Sequence, residues 1–257
     1  MTSKQIIPIG LFLMAHTLGL ADNASKAEAQ LEKHPTYQEG YLSKADSLKS
    51  FELPEGYKLE LVLSEPQVKE PVAVAWDGNG VMYVAQMRTY MQDADATDEQ
   101  TPRSQISRHE DTDGDGVYDK HSIYIDNILL PRMILPLDDR LMVGITNTLD
   151  LWNYRDTDGD GVADEKVKIY EGGPRGGNME HQPSGLIWGL DNWIYLTYQA
   201  IRYRFTDGKL VTEKLSRGEG QWGLTQDDDG RNYYSRAGGE VVSVGFQQPV
   251  QYGKLNL

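Results

Sequence analysis

Asp111-Thr112-Asp113-Gly114-Asp115-Gly116-Val117-Tyr118-Asp119 returns 45 positions later as Asp156-Thr157-Asp158-Gly159-Asp160-Gly161-Val162-Ala163-Asp164. Each copy sets carboxylates at loop positions one, three, five and nine, with glycine where the backbone must bend sharply. Hard oxygen donors on alternate residues are the ligand ladder of a calcium loop. The expected ligands are Asp111, Asp113, Asp115, Asp119 and the Val117 carbonyl, and likewise Asp156, Asp158, Asp160, Asp164 and the Val162 carbonyl. Position twelve is Ser122 or Val167 rather than a bidentate Glu, and both flanks read as strand, which separates these loops from an EF-hand. A solvated acidic turn is the plainer alternative, because Asp and Gly favour turns in any case. The 45-residue offset also matches one blade of a β-propeller.

Around the ladders one phrase repeats: an apolar run, a turn of Gly, Asp or Asn, and a second apolar run. It reads Val72 to Trp76, turn 77–80, Val81 to Ala85. It returns as Arg132 to Leu137 with Arg140 to Gly144, as Ser184 to Trp188 with Trp193 to Leu196, and as Trp222 to Thr225 with Asn232 to Ser235. Two apolar runs across such a turn make a hairpin. Four hairpins supply the inner strands of about four blades. Ser104 to His109, Lys120 to Ile125, Leu149 to Tyr154 and Lys166 to Tyr170 supply outer strands, with the ladders at their hairpin tips. The expected fold is therefore all-β, a β-propeller of four-stranded blades over residues 51–257. It is expected to be a fragment holding about four blades of six, because an open stack leaves blade edges unpaired. Leu59 to Leu63 reads as a further strand.

The first 21 residues read as a secretory signal: Lys4, an apolar run from Ile6 to Leu20, and a small-residue cleavage site at Gly19-Leu20-Ala21. Residues 22–50 read as a polar leader, with short helices at 25–33 and 43–49. The expected location is periplasmic or extracellular, with no membrane span after cleavage. The chain has no cysteine, hence no disulfide and no C-x-x-C-H haem site. A net charge of −14 argues against nucleic acid, whose phosphates need a basic footprint.

Four segments carry candidate chemistry. Glu180-His181-Gln182-Pro183-Ser184-Gly185 sets a histidine just before an inner strand, where propeller loops gather over the channel. An imidazole there can accept a proton from an alcohol, or it can simply cap the strand. Arg175 sits in the Gly-rich loop 172–178 and can reach the rim. Arg202 and Arg204, interleaved with tyrosines, suit an anionic or planar ligand, or face water from a surface strand. Gln86, Met87, Arg88 and Tyr90 follow the first inner hairpin and are expected at the same mouth. Gly-x-Ser-x-Gly and His-Glu-x-x-His are both absent from the sequence, which leaves hydrolases little to rest on.

Phe51-Glu52-Leu53-Pro54-Glu55-Gly56-Tyr57, Ser64-Glu65-Pro66, the two Asp loops and Glu180 to Gly185 together resemble the propeller of the exported proteins called membrane-bound dehydrogenases, known from planctomycetes and verrucomicrobia. The resemblance covers residues 47–257. Such propellers are similar to the soluble glucose/sorbosone dehydrogenases, which use pyrroloquinoline quinone. His181 stands eight residues before Gly189 of Gly189-Leu190-Asp191-Asn192-Trp193-Ile194-Tyr195, the spacing of the general base in that family, with Asn192 in place of the turn Gly. The resemblance implies that His181 takes a hydroxyl proton from a sugar or alcohol, assisted by Arg202 or Arg204. Arg175, Arg88 and Gln86 are then candidates for the quinone, and a c-type cytochrome for the electron acceptor. The alternative is a non-catalytic propeller that binds carbohydrate or a partner protein.

Overall fold

The computed structural model describes residues 42–235 and the short strand pair Gln251–Tyr252 and Leu255–Asn256. The expected signal segment 1–21 and the helix expected at 25–33 lie outside the described residues. No described helix is long and apolar enough to cross a membrane. Two compact units divide at residues 60 and 61. In the first, helix α1 (Lys44–Lys49) starts where Ser43 Oγ accepts the Asp46 N–H at 3.2 Å, an ordinary N-cap.

The second unit is a run of antiparallel sheets whose strands follow chain order. Blade 1 is β1 (Pro71–Trp76), β2 (Met82–Gln86), β3 (Ser104–Glu110) and β4 (Lys120–Ile128). Blade 2 is β5 (Pro131–Leu137), β6 (Arg140–Ile145), β7 (Leu151–Arg155) and β8 (Glu165–Tyr170). Blade 3 is β9 (Ile187–Trp188), β10 (Ile194–Tyr195), β11 (Ile201–Thr206) and β12 (Lys209–Lys214). A two-stranded sheet, β13 (Leu224–Gln226) with β14 (Asn232–Tyr234), stands where the fourth blade was expected. The pair β15 (Gln251–Tyr252) and β16 (Leu255–Asn256) follows. The chain is thus all-β, of propeller type, and three blades are complete among the described residues. Residues 59–63 form no strand: Leu61 and Val62 are exposed, and the segment enters none of the described ladders.

The turns that close the inner hairpins are chemically alike. Asp77 Oδ1 accepts from the Asn79 and Val81 N–H groups at 2.8 and 3.0 Å, and Asp227 Oδ1 accepts from Asp229 and Arg231 at 3.1 and 2.8 Å. Gly80 and Gly230 follow at positive φ, +82° and +81°. In blade 3 Asn192 takes that place at φ +63°. Asparagine is, after glycine, a residue that tolerates the left-handed region, so the turn survives the exchange.

Alternation along the strands packs the blades face to face. Ile134, Leu141 and Val143 gather with Tyr83, Ala85, Ile106 and Tyr124 of blade 1. Met133, Leu137 and Met142, from the same two strands, gather with Leu186, Ile194 and Tyr203 of blade 3. β2 is buried throughout, whereas β4 and β8 at the outside are largely exposed. The core therefore lies between blades, and the first strand of each blade is left to line a channel.

Candidate functional site

β1, β5, the segment 184–187 leading into β9 and the segment 222–224 leading into β13 surround a cavity of about 380 Å³. Apolar side chains, among them Val72, Val74, Trp76 and Leu186, line much of it, and polar atoms contribute nearly as much of the wall. Arg132 stands among them. Its carbonyl accepts the Gly185 N–H at 3.3 Å, which joins the inner edges of blades 2 and 3. Its guanidinium lies 4.5 Å from the centre of the Trp222 ring. Arg132 is only 3% exposed, and none of its three side-chain nitrogens has a hydrogen-bond partner among the described residues. Burial pulls the guanidinium down to about 10, while the nearby hydroxyls of Tyr90 and Tyr198 act in the opposite sense.

Loops from all four inner hairpins meet beside it. The His181 ring is exposed and stacks on Tyr198, with centroids 6.2 Å apart and planes 25° from parallel. Arg175 Nη2 donates to the His181 carbonyl at 2.9 Å, and the His181 N–H donates to the Asn178 carbonyl at 3.1 Å. Tyr198 has φ +64°, rare and costly for a bulky residue, and its N–H is held by the Glu219 carbonyl at 2.9 Å. Tyr90 of blade 1 donates its hydroxyl to Glu180 Oε1 at 2.6 Å. Burial first, and then Glu180, push that phenol up to about 12.

Buried amides lock the loops together. Gln182 and Asn147 exchange two hydrogen bonds, of 2.7 and 2.9 Å, and Asn147 Nδ2 reaches Gln100 Oε1 at 2.6 Å. The Gln221 carbonyl accepts from Ser184 Oγ at 2.7 Å and Thr197 Oγ1 at 2.6 Å, and Gln221 Nε2 donates to the Glu180 carbonyl at 3.2 Å. The arrangement presents an imidazole to solvent on a fixed loop, beside a carboxylate and two phenols. An imidazole so placed can accept a proton from a bound hydroxyl group.

The residues expected at the mouth divide in two. His181, Arg175 and Tyr90 are there. Arg88 is exposed but tied to its own blade, with Nη1 on Gln105 Oε1 at 2.9 Å. Gln86 is enclosed: its Oε1 accepts the Lys69 N–H at 2.7 Å and its Nε2 donates to Ser107 Oγ at 2.8 Å. Arg202 is fully buried in β11, the third strand of its blade. It donates to Asp191 at 3.0 Å, Tyr195 at 2.8 Å and Glu213 at 3.0 Å, and its plane lies 4.3 Å from the Trp193 ring centre. Arg204, two residues on and on the same strand face, is 4.5 Å from that ring. Neither arginine lines the cavity. The surface-strand alternative also gives way at Arg202, whose neighbours inside the blade consume its charge. Arg132 was not singled out from the sequence, although a lone cation in the apolar run Pro131-Arg132-Met133-Ile134-Leu135-Pro136-Leu137 was the available signal.

The two Asp loops are hairpin tips, β3 to β4 and β7 to β8. In each, the carboxylates at positions one, three and five converge, with their oxygens within 4.8 Å of one another. Asp111 is held below the usual carboxylate range by the Gly116 N–H first, at 2.9 Å, and also accepts from Gly114 at 2.7 Å. Asp156 receives the same pair from Gly161 and Gly159, at 2.8 and 2.7 Å. The fourth carboxylates, Asp119 and Asp164, stand outside the trio and close the turn on Thr112 and Thr157, whose hydroxyls lie at 2.6 and 2.7 Å and hold both carboxyls low. The Val117 and Val162 N–H groups donate to Asp115 and Asp160, each at 2.8 Å. Three converging carboxylates suit a hard divalent cation. The second loop also clasps blade 1: Ser122 Oγ donates to the Gly161 carbonyl at 2.5 Å, and the Ala163 N–H to the Tyr124 carbonyl at 2.8 Å.

A protein-family model described as a domain of unknown function (DUF7133) matches residues 43–256. No curated protein matches the chain in sequence. Among solved structures, it is similar to a gluconolactonase from Xanthomonas campestris, at 13% identity and a TM-score of 0.47, over 69% of this chain and 58% of that one. It is also similar to the holo PQQ domain of a pyranose dehydrogenase from Coprinopsis cinerea, at 13% identity and a TM-score of 0.45, over 73% and 48%. A third is a virginiamycin B lyase from Staphylococcus aureus, at 16% identity and a TM-score of 0.37, over 68% and 66%. The chain spans less than two thirds of the length of each.

Proposed function

The chain belongs to the family described as Domain of unknown function (DUF7133), and on that footing we propose that it is a propeller that takes a small hydroxylated molecule, a sugar or an alcohol, at its channel mouth, with His181 as the acceptor of a hydroxyl proton. The observation that carries this reading is the exposed His181 ring, stacked on Tyr198 and held on a loop that Gln182 and Asn147 fix from beneath. A positioned imidazole contributes typically 10²–10⁴-fold to proton transfer. Glu180 accepts the Tyr90 hydroxyl on one of its carboxylate oxygens.

Oxidation of that alcohol by a quinoprotein mechanism is the finer form of the reading. Bound pyrroloquinoline quinone would supply the hydride acceptor, and a c-type cytochrome would take the electrons onward. The described residues do not form a cradle for it. Its several carboxylates call for several cations facing one cavity, and Arg132 is the only described cation in the lining. Arg202 and Gln86 are spent within blades. The same sparse set of cations favours the second reading, a non-catalytic channel that binds carbohydrate. The converging trios at Asp111, Asp113, Asp115 and at Asp156, Asp158, Asp160 support calcium as the structural ion of the loops. The apolar run from Ile6 supports export to the periplasm or beyond.

The test is dye reduction by the full chain with added quinone, calcium and a panel of aldoses and alcohols, beside His181→Gln. Turnover in the parent that falls at least 100-fold in the variant, with sugar binding retained, would carry His181 and the quinoprotein form together. Equal turnover in both would sink His181 as proton acceptor, and binding without any turnover would leave the carbohydrate-binding channel.

A further inference from the structure

Arg132 presents a charge with no counter-charge among the described residues. Buried cations in folded proteins are paired or hydrogen-bonded, because leaving water unpaired is costly. Here the guanidinium is 3% exposed, lines a cavity, and has three nitrogens without partners among the described residues. Trp222 covers its face at 4.5 Å, which fixes the plane, and the three nitrogens are themselves closed off from solvent beside the cavity. Ser184, the other polar side chain in the lining, already donates its hydroxyl to the Gln221 carbonyl. Among the described residues, no acceptor reaches the guanidinium.

We propose that Arg132 and Trp222 form a carboxylate-binding site in the channel, and that its ligand is a monoanionic hydroxy acid of sugar size, an aldonate or uronate. This rests on the channel mouth being the ligand site, as argued above, and narrows the class of molecule it takes. The guanidinium edge matches a carboxylate with two parallel N–H···O bonds, a geometry that an ammonium cannot offer. Arg132 is the one described cation in the lining, and it balances one negative charge. Val72, Val74 and Leu186 suit the carbon skeleton, and a volume of about 380 Å³ is at the small end of ligand cavities. Tyr90 and Tyr198 stand close enough to the guanidinium to act on it, and their hydroxyls can meet the hydroxyl groups of the same molecule.

The test is calorimetric titration of the full chain with gluconate, glucuronate and glucose, repeated with Arg132→Gln, Arg132→Lys and His181→Gln. Both acids are expected to bind at least about 10-fold more tightly than glucose, the advantage of a charge-assisted bidentate pair. Arg132→Gln should abolish that preference. Arg132→Lys, which keeps the charge and guards against a variant that fails to fold, should retain part of it. His181→Gln should change the affinity for the acids and for glucose by the same factor, so failure of the proton-acceptor reading and failure of this site are read separately. Equal affinity for acid and neutral sugar, or a preference that survives Arg132→Gln, overturns the proposal. Tight binding of pyrroloquinoline quinone that displaces gluconate and depends on Arg132 would assign the carboxylate to the quinone and overturn the sugar acid.

Discussion

Asn147 and Gln182 hold one another at two points. The Asn147 N–H donates to Gln182 Oε1 at 2.7 Å, and Gln182 Nε2 donates to Asn147 Oδ1 at 2.9 Å. Gln182 is 1% exposed, and Asn147 sits at φ +66°. The pair ties the loop that carries His181 to blade 2, so the imidazole is positioned through its neighbour in sequence as well as by its own stacking on Tyr198. Gln182→Ala strands two polar groups of Asn147 and should lower stability by about 1–3 kcal/mol, read as a shift in the urea midpoint. An unchanged midpoint would show that the pair contributes nothing to the loop.

His109 introduces a pH dependence. It is fully buried on β3, next to His121, with Nε2 on Ser107 Oγ at 2.8 Å. Burial first, and then His121, pull the imidazole down to about 4. The unfolded chain therefore binds the proton in a range where the native state does not. Stability is complete above about 6.5 and declines as pH falls toward 4, by roughly 3 kcal/mol at most. Replacing His109 with Gln should flatten the curve of stability against pH in that window. A slope that persists unchanged in the variant would place its origin elsewhere.

Calcium should act on the blades through the loops. Added calcium is expected to raise the melting temperature saturably, and a chelator to reverse the rise. Asp158→Asn removes a converging oxygen at little cost to the loop, since Asp158 accepts only the Asp160 N–H, at 3.2 Å. It should lose more of the calcium response than Asp113→Asn, because only the second loop grips a neighbouring blade through Ser122 and Tyr124. A melting temperature indifferent to calcium would leave the loops as solvated turns.

Arg202 should matter to folding and not to chemistry. Arg202→Met breaks a buried ion pair with Asp191 and leaves that carboxylate unpaired, a loss of about 3–5 kcal/mol for pairs of this kind. Turnover or ligand affinity per folded molecule should stay within twofold of the parent. A stable variant that has lost ligand binding would return Arg202 to the site.

The propeller was legible because its signals are local. Hairpin turns carry Asp and Gly at fixed places, and side-chain alternation marks which strands are buried on both faces. The site was legible only where a loop residue announced itself, as His181 did. Arg202 and Arg132 show why the rest was not. The sequence places both in strands between apolar residues, and their roles differ by which strand of the blade each occupies. Arg202 lies on the third strand, opposite Glu213, and is neutralised inside the sheet. Arg132 lies on the first, where the neighbour across the cavity is an indole. That difference is set by partners 11 to 90 residues away in the chain, from Glu213 beside Arg202 to Trp222 over Arg132. The failed strand at 59–63 has the same cause: an apolar run becomes a strand only where another lies beside it.

Each complete blade is a meander. Every ladder of blade 1 closes between Pro71 and Ile128, and every ladder of blade 2 between Pro131 and Tyr170. Contacts close in sequence form quickly, so blade 1 can zip up during synthesis while blade 2 is still in the ribosome's exit tunnel. Blade 2 then emerges onto a finished face, with Ile134, Leu141 and Val143 ready to cover it. The order of synthesis is therefore also an order of assembly, and the apolar face waiting for a partner at any moment is one blade wide.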